Sequence, residues 1–377
     1  MCHAVSSAPE GRIEVRTSVG SYPVRIGRGS LAELPKLLAR HCPAHAYALI
    51  ADAGVWGLHG ARVRAVCSGL DQPLTIHTFK PGEQSKNRTE WSRLTDSLLA
   101  TGLGRDGCVI ALGGGVAGDL AGFVAATYMR GIPVVQVPTS LVAMVDASVG
   151  GKTGVDVAAG KNLVGAFHPP RFVLADPDLS VTLPRRERSQ GLAEAIKHGA
   201  ILDPAYFGWI ERRAEDLLGG DPHATGALVM RSVELKAHVV GEDEREAGMR
   251  QILNFGHTLG HALEAESEFR LPHGSAVAIG MVLEAQLGER LGVTERGISG
   301  RIAEVLDRAE LPTRAPGRPD PETVLKLLSR DKKARSGISR YVLLARIGRV
   351  DRRHGWSWEL TRPIIEEFLA SVFPGPA

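Results

Sequence analysis

Between residues 12 and 180 the chain alternates short apolar runs with stretches of helical period. RIEVRTSVGSYPVRIG (12–27) alternates apolar and polar residues around a Gly-Ser turn region, which predicts a β-hairpin. SLAELPKLLAR (30–40) follows with helical spacing. AYALIAD (46–52), LTIHTF (74–79), CVIALGGG (108–115), IPVVQVPTS (132–140) and FVLAD (172–176) are continuous or near-continuous apolar runs. Such runs predict strands covered on both faces, as in parallel sheets. Helical patterns lie between them, near 87–101 and over VAGDLAGFVAATYMR (116–130). The alternation predicts an α/β, Rossmann-like domain with a mostly parallel sheet. After about residue 180 the texture turns helical, over 188–200, 203–218, 222–245, 251–268, 275–292, 295–310 and 320–330. One short strand, SRYVLLARIG (339–348), interrupts these segments. The second half therefore reads as a mainly α-helical domain.

A length of 377 residues suits two domains of about 100–200 residues each, and the change of texture puts the boundary at 1–180 and 181–377. A net charge of +3 without Lys/Arg runs argues against a nucleic-acid binder. It leaves the basic residues for a local anion site. The cysteines at 2, 42, 67 and 108 form no CxxC pair, which fits reduced thiols in the cytoplasm. The first ten residues have no apolar core for a signal peptide and read as a loose tail, and no run of about 18 apolar residues predicts a membrane span.

Three regions carry candidate chemistry. LGGGVAGD (112–119) matches GxGxxG through Gly113, Gly115 and Gly118, after a strand and opening a helix. That context suits a pyrophosphate at a helix N-terminus, although a plain tight turn uses the same residues. The usual ribose-binding acid about 20 residues on is missing; the strand-end acid is upstream, at Asp52. MVDASVGGKTGVDVAAGKNLVGAFH (144–168) reads as a long Gly/Ala-rich loop threaded with Asp146, Lys152, Lys161 and Asn162, suited to a phosphate or carboxylate. In the helical half, Glu194 and Lys197 stand at i and i+3 in GLAEAIKHGAI. Lys236 and Arg250 follow, and each of these four also reads as an ordinary surface charge. His257 and His261 share a helix face in NFGHTLGHALE, and His273 comes soon after. With Glu194 they are candidates for a zinc-type site of three protein ligands; the absence of HExxH removes the metalloprotease reading. Spacing alone leaves open whether both helix histidines, one or neither is a ligand.

On GGGVAGDLAGFVAATYMRG, VDASVGGKTGVD, GKNLVGAFHPP, GLAEAIKHGAI, LNFGHTLGHALE, HGSAVAIGM and the DKK at 331–333, the chain resembles the 3-dehydroquinate synthases among the sugar-phosphate cyclases. The resemblance runs from about residue 12 to 370. It implies conversion of 3-deoxy-D-arabino-heptulosonate 7-phosphate to 3-dehydroquinate, the second step of the shikimate pathway. It also implies NAD, one divalent metal (zinc or cobalt) and a homodimer. The implied course is transient oxidation by NAD, β-elimination of phosphate, return of the hydride and an intramolecular aldol closure. The implied metal ligands are Glu194, His257 and His273, with His261 on the substrate side. Asp52, Glu83, Lys86, Gly114, Gly115, Val116, Asp119, Thr139 and Ser140 resemble the NAD contacts, and Lys152, Lys161 and Asn162 are grouped with them. Gly54 stands where the family usually carries Asn, and Ser140 replaces a Thr. Arg130 resembles a phosphate ligand reaching across the dimer. Lys152, Asn162 and one of Lys332 or Lys333 resemble phosphate or hydroxyl ligands. Asp146, Lys197, Lys236, Arg250 and Asn254 resemble groups that hold the substrate's carboxylate and hydroxyls. The rivals are aminodehydroquinate synthase or another secondary-metabolism cyclase, a metal-dependent polyol dehydrogenase of the same fold, and a non-catalytic binding module.

Overall fold

In the computed structural model, residues 11–330 and 339–373 are described; Lys332, Lys333 and the expected N-terminal tail lie outside them. The chain forms two compact units, neither of them continuous in sequence. One comprises the chain up to Glu187 together with Gly220–Glu244, the other Arg188–Gly219 together with the chain from Arg245 onward.

The first unit is built on a seven-stranded sheet. Its strands are β1 (Gly11–Thr17), β2 (Gly20–Ile26), β3 (Tyr47–Asp52), β4 (Leu74–Phe79), β5 (Cys108–Gly113), β6 (Val134–Pro138) and, after a separate hairpin of β7 (Lys152–Val157) and β8 (Gly160–Phe167), β9 (Val173–Ala175). The sheet order is β1-β2-β9-β6-β5-β3-β4, and only the β1–β2 hairpin is antiparallel. Helices α1 (Leu34–His41), α2 (Ala53–Cys67), α3 (Arg88–Ala100) and α4 (Gly115–Thr127) make the connections. Every residue of β5 is buried, which is why its sequence shows no polar alternation. Val109 and Ala111 pack in one cluster with Leu94, Leu98, Leu120 and Val124 from α3 and α4.

Two sequence expectations change here. The segment 144–168 is not a loop: Ala143–Ala147 form a wide π-type turn, and β7 and β8 pair antiparallel. Its glycines hid the hairpin, because they serve close backbone approach instead. A Cβ on Gly165 would lie 2.1 Å from the Thr153 carbonyl oxygen across the ladder. The helix read at 222–245 is α7 (Pro222–Glu242), preceded by α5 (Arg185–Leu202) and α6 (Pro204–Gly219). It packs on β1 and belongs with the sheet.

In the second unit α6 and most of α5 join α8 (His257–Glu266), α9 (His273–Arg290), α10 (Ile298–Arg308), α11 (Pro321–Arg330) and α12 (Arg362–Val372). Leu259, Leu263, Ile279, Leu283, Val324 and Phe368 form the centre of its core. The strand expected at 339–348 is two short pieces. Arg340–Tyr341 pairs with Trp358–Glu359, and Leu344–Arg346 pairs with Arg349–Val350. Among the described residues no helix is long and apolar enough to cross a membrane.

Candidate active site

In the sheet unit Asp52, Glu83, Lys86, Gly114, Gly115, Val116, Asp119, Thr139 and Ser140 follow the carboxyl ends of parallel strands, whereas Arg130 lies past the far end of α4, before β6, and Lys152, Lys161 and Asn162 are on the separate hairpin. From β3 the chain moves outward to β4; from β5, the strand beside β3, it moves the other way to β6. The ends of β3 and β5 are therefore a topological switch point, where open α/β sheets bind ligands. Asp52 ends β3 and Gly113 ends β5. Gly113 has φ 152°, a conformation that favours glycine, and a Cβ there would lie 2.6 Å from Ala117 Cβ. Gly114 then caps the N-terminus of α4, so the free amides of Gly115 and Val116 begin the helix. A Cβ on Gly114 would come within 3.1 Å of Ser140 Oγ, and one on Gly115 within 3.6 Å of Ala147. Helix-start amides beside a glycine turn are the kind of group that suits the phosphates of a dinucleotide. Asp52 Oδ1 accepts the N–H groups of Gly54 and Val55 (2.7 and 3.1 Å), so it also caps α2.

Around that switch point lie paired charges. Lys86 is buried, with Nζ 2.9 Å from Asp119 Oδ2 and 3.4 Å from Glu83 Oε1. Burial alone would lower its pKa, but Asp119 and Glu83 hold it above the ordinary lysine value. Burial raises the Asp119 carboxyl, against the pull of Lys86. Lys236, on α7, reaches the π-type turn: its Nζ lies 2.8 Å from Asp146 Oδ1 and donates to the Asp146 carbonyl at 2.6 Å. Thr139 is buried, its N–H donating to the Gly113 carbonyl at 2.9 Å. Lys152 opens β7, while Lys161 and Asn162 lie on the facing strand β8. Arg130 is exposed just past α4, with left-handed φ of 70° beside Met129 at 47°.

The helical unit concentrates the metal-type donors. Glu194, on α5, is 1% exposed and forms an ion pair with the equally buried Lys197 one turn on. Glu194 Oε1 lies 3.5 Å from His257 Nε2 and 3.4 Å from His273 Nε2. Ligands at about 2.1 Å from a tetrahedral ion are separated by about 3.4 Å, so these spacings fit one cation. His257 and His273 are the first residues of α8 and α9. His257 Nδ1 donates to the Phe255 carbonyl (3.1 Å), which leaves the Nε2 lone pair for an ion. His273 Nδ1 lies 3.4 Å from Glu264 Oε2, the same orienting arrangement with a carboxylate. Burial favours the neutral form of Glu194, but Lys197 and then His257 hold its pKa well below the carboxylate range. Burial opposes charge on His273, yet hydrogen bonds to Glu194 and Glu264 push its pKa up to about 9. A divalent cation bound between these groups would take the place of such a proton, so binding there would release it.

His261 completes a triangle of imidazoles, with ring centroids 5.2 Å from His257 and 5.8 Å from His273. Two overlapping donor sets result, Glu194–His257–His273 and His261–Glu264–His273. Arg250 is buried on the turn Met249–Asn254, and Asn254 Nδ2 donates to Glu246 Oε1 at 2.5 Å. Two acids had not been singled out in the sequence. Glu264 stands three residues after His261 and seven after His257, a helical spacing open to the eye. Glu284 offered no such signal. Gln190, one turn before Glu194, was also missed: its Oε1 accepts the Ser275 N–H (2.8 Å) and its Nε2 donates to Ser275 Oγ (3.0 Å), tying α5 to the start of α9.

Residues 76–190 match the family model described as 3-dehydroquinate synthase N-terminal, and residues 191–334 the one described as 3-dehydroquinate synthase C-terminal. A 3-dehydroquinate synthase of Symbiobacterium thermophilum is 47% identical over 331 residues, covering 87% of this chain and 92% of the relative. Two solved structures are similar along most of the chain. A 2-deoxy-scyllo-inosose synthase complexed with carbaglucose-6-phosphate, NAD+ and Co2+ has a TM-score of 0.88 at 25% identity, covering 96% of this chain and all of the other. A 2-epi-5-epi-valiolone synthase of Streptomyces hygroscopicus, with NAD+ and Zn2+ bound, has a TM-score of 0.84 at 28% identity, covering 96% and 99%. Matched across both halves and along most of a curated relative, the chain belongs to the 3-dehydroquinate synthase family.

Proposed function

We propose that this chain is a 3-dehydroquinate synthase, a carbon–oxygen lyase of the cytoplasm. It converts 3-deoxy-D-arabino-heptulosonate 7-phosphate to 3-dehydroquinate and phosphate, using NAD and one divalent cation, zinc or cobalt. Within a chain of this family, the observation that carries the reading is the buried carboxylate Glu194 with two imidazole nitrogens 3.4 and 3.5 Å away. Glu194, His257 and His273 would hold the cation, which supplies Lewis acidity toward the oxidised alcohol. Asp52, Glu83, Lys86, Gly114, Gly115, Val116, Asp119, Thr139, Ser140 and Lys161 are assigned to NAD, which supplies a reversible hydride acceptor.

The protein's own work is to hold a polyanion in one pose. Lys197 offsets the charge of Glu194 and presents an ammonium beside it. Arg250 suits the substrate carboxylate through its planar fork of donors. Lys236, anchored on Asp146, and Asn254, anchored on Glu246, suit hydroxyls that must keep their orientation. His261 faces the other two imidazoles and is assigned to the phosphate side, with Lys152, Asn162 and one of Lys332 or Lys333. Arg130 is assigned to the phosphate of the neighbouring active site in a homodimer.

The test is release of inorganic phosphate from the heptulosonate phosphate, with NADH absorbance followed in parallel. Phosphate release without net NADH is expected. Accumulating NADH would point to a dehydrogenase instead. Glu194→Gln should keep NAD binding and lose turnover; ordinary turnover would remove Glu194 from the centre.

A further inference from the structure

Glu284 has no part in the assignment above, yet its side chain is fully buried in the middle of α9. A buried carboxylate needs strong partners. Its oxygens face the first turn of the neighbouring helix α8. Oε2 accepts the Gly256 N–H at 2.8 Å; Oε1 accepts those of Thr258 at 3.1 Å and Leu259 at 3.3 Å. Such amides have no partner within their own helix. Gly256, which leads into α8 with left-handed φ of 78°, has no side chain to satisfy them. Glu284 therefore supplies from α9 the N-cap that α8 lacks, with its charge at the positive end of the helix dipole.

The capped turn begins with His257, and α9 itself begins with His273. The two helices meet backbone to backbone. A Cβ on Gly280 would lie 1.8 Å from the Gly256 carbonyl oxygen, and one on Gly260 2.7 Å from that of Ala276. This contact sets the spacing of the helices, and the three hydrogen bonds to Glu284 fix where the first turn of α8 starts. Ligand distances tolerate about ±0.2 Å, so a frayed or rotated first turn would take His257 out of the cluster.

We infer that Glu284 is a positioning residue of the metal centre. By capping α8 from within α9, it holds His257 at ligating separation from Glu194 before the cation arrives. The inference rests on the metal-centre reading above.

Zinc-free protein is titrated with zinc against a chelator of known affinity, for wild type, Glu194→Gln and Glu284→Gln, with circular dichroism confirming the fold. The Gln side chain keeps the size but turns an N–H2 toward amides that need an acceptor. Wild type is expected to bind one zinc per chain, and folded Glu284→Gln to bind about 10–100-fold more weakly, the usual loss for a group that orients a ligand. Folded Glu284→Gln with wild-type zinc affinity, however low its Tm, would make Glu284 a cap alone and overturn the inference. Wild type that takes up no zinc would overturn the reading of the centre, and the inference with it. If Glu284→Gln does not fold, amide exchange in the wild type decides. Equal protection of Thr258 and Leu259 with and without zinc supports a clamp set in advance. Free exchange until zinc is added overturns it.

Discussion

The helix contact beneath the proposed metal cluster makes Gly280→Ala an informative perturbation. The new Cβ would sit 1.8 Å from the Gly256 carbonyl oxygen and 2.8 Å from both Gly256 C and Gly260 N. All three atoms are backbone, so no side chain can turn aside. Carbon and carbonyl oxygen approach no closer than about 3.3 Å in ordinary weak contacts, so α8 and α9 must part by about 1.5 Å. Overpacking on this scale costs about 1–3 kcal/mol, and more where backbone must move. The displacement also exceeds the tolerance of metal ligands, and α8 and α9 carry His257 and His273. A control lies in the same unit: Gly300, inside α10, has nothing within 4 Å of an added Cβ. Gly300→Ala should be neutral or stabilise by less than about 1 kcal/mol, since Gly300 stands in the first turn and not in the middle of the helix. The assay is denaturant unfolding of both variants, with zinc affinity measured on the folded protein. Gly280→Ala with wild-type stability and wild-type zinc affinity would refute the claim that glycine contact sets this geometry.

Three further outcomes follow from burial and charge. Lys197→Met removes one of the cations facing the buried Glu194 carboxylate, with His273 still 3.4 Å away, and should cost about 1.5–3 kcal/mol in zinc-free protein, part of it recovered when zinc is added; equal unfolding midpoints for variant and wild type would contradict this. His59, His77 and His168 are held neutral by burial, their pKa values lowered from 6.5. A folded pKa below the unfolded one means the contribution is complete above pH 6.5 and is lost as pH falls through the folded values, so unfolding midpoints measured from about pH 6.5 down to about pH 5 should decline, below the range in which the raised His273 acts in the opposite sense. Burial pushes the Cys67 thiol up to about 11, so native protein should resist alkylation at Cys67 at mildly alkaline pH until it is unfolded, as peptide mass analysis would show.

The fold was legible wherever burial leaves a periodic trace. Strands β3 and β5 stand in the sequence as apolar runs, and β6 as one interrupted only by the buried Gln136, because both faces are covered. The β7–β8 hairpin failed that test. Its outer face is largely exposed, and Gly154 and Gly165 remove side chains where the two backbones nearly touch, so no alternation survives. The place of α7 was unreadable for another reason: its period is helical wherever it packs, and nothing local says that its apolar face meets β1. The C-terminal helix α12, by contrast, was overlooked though Thr361 precedes it and a proline lies in its first turn.

The candidate site divides along the same line. Groups assigned to ligands stand in short motifs, because the elements carrying them are local: a strand end and a helix start for the glycine loop, one helix for Glu194 and Lys197, another for His257 and His261. Groups that hold those elements in place do not. Glu284 follows Gly256 by 28 residues and serves it only because Gly260 and Gly280 let two helices touch. Gln190 and Ser275 are 85 residues apart. Neither pair has a spacing that helical or strand periodicity can reveal, since its meaning depends on how helices pack. The same packing also separates the two helix histidines, which spacing alone treats as equals. His257, at the first position of α8, points Nε2 toward Glu194, whereas His261, one turn on, falls in the second donor set with Glu264. The proposed ligand set of one carboxylate and two imidazoles from three helices is therefore a property of the helix contacts, and those contacts are where substitutions should disturb it without touching Glu194, His257 or His273.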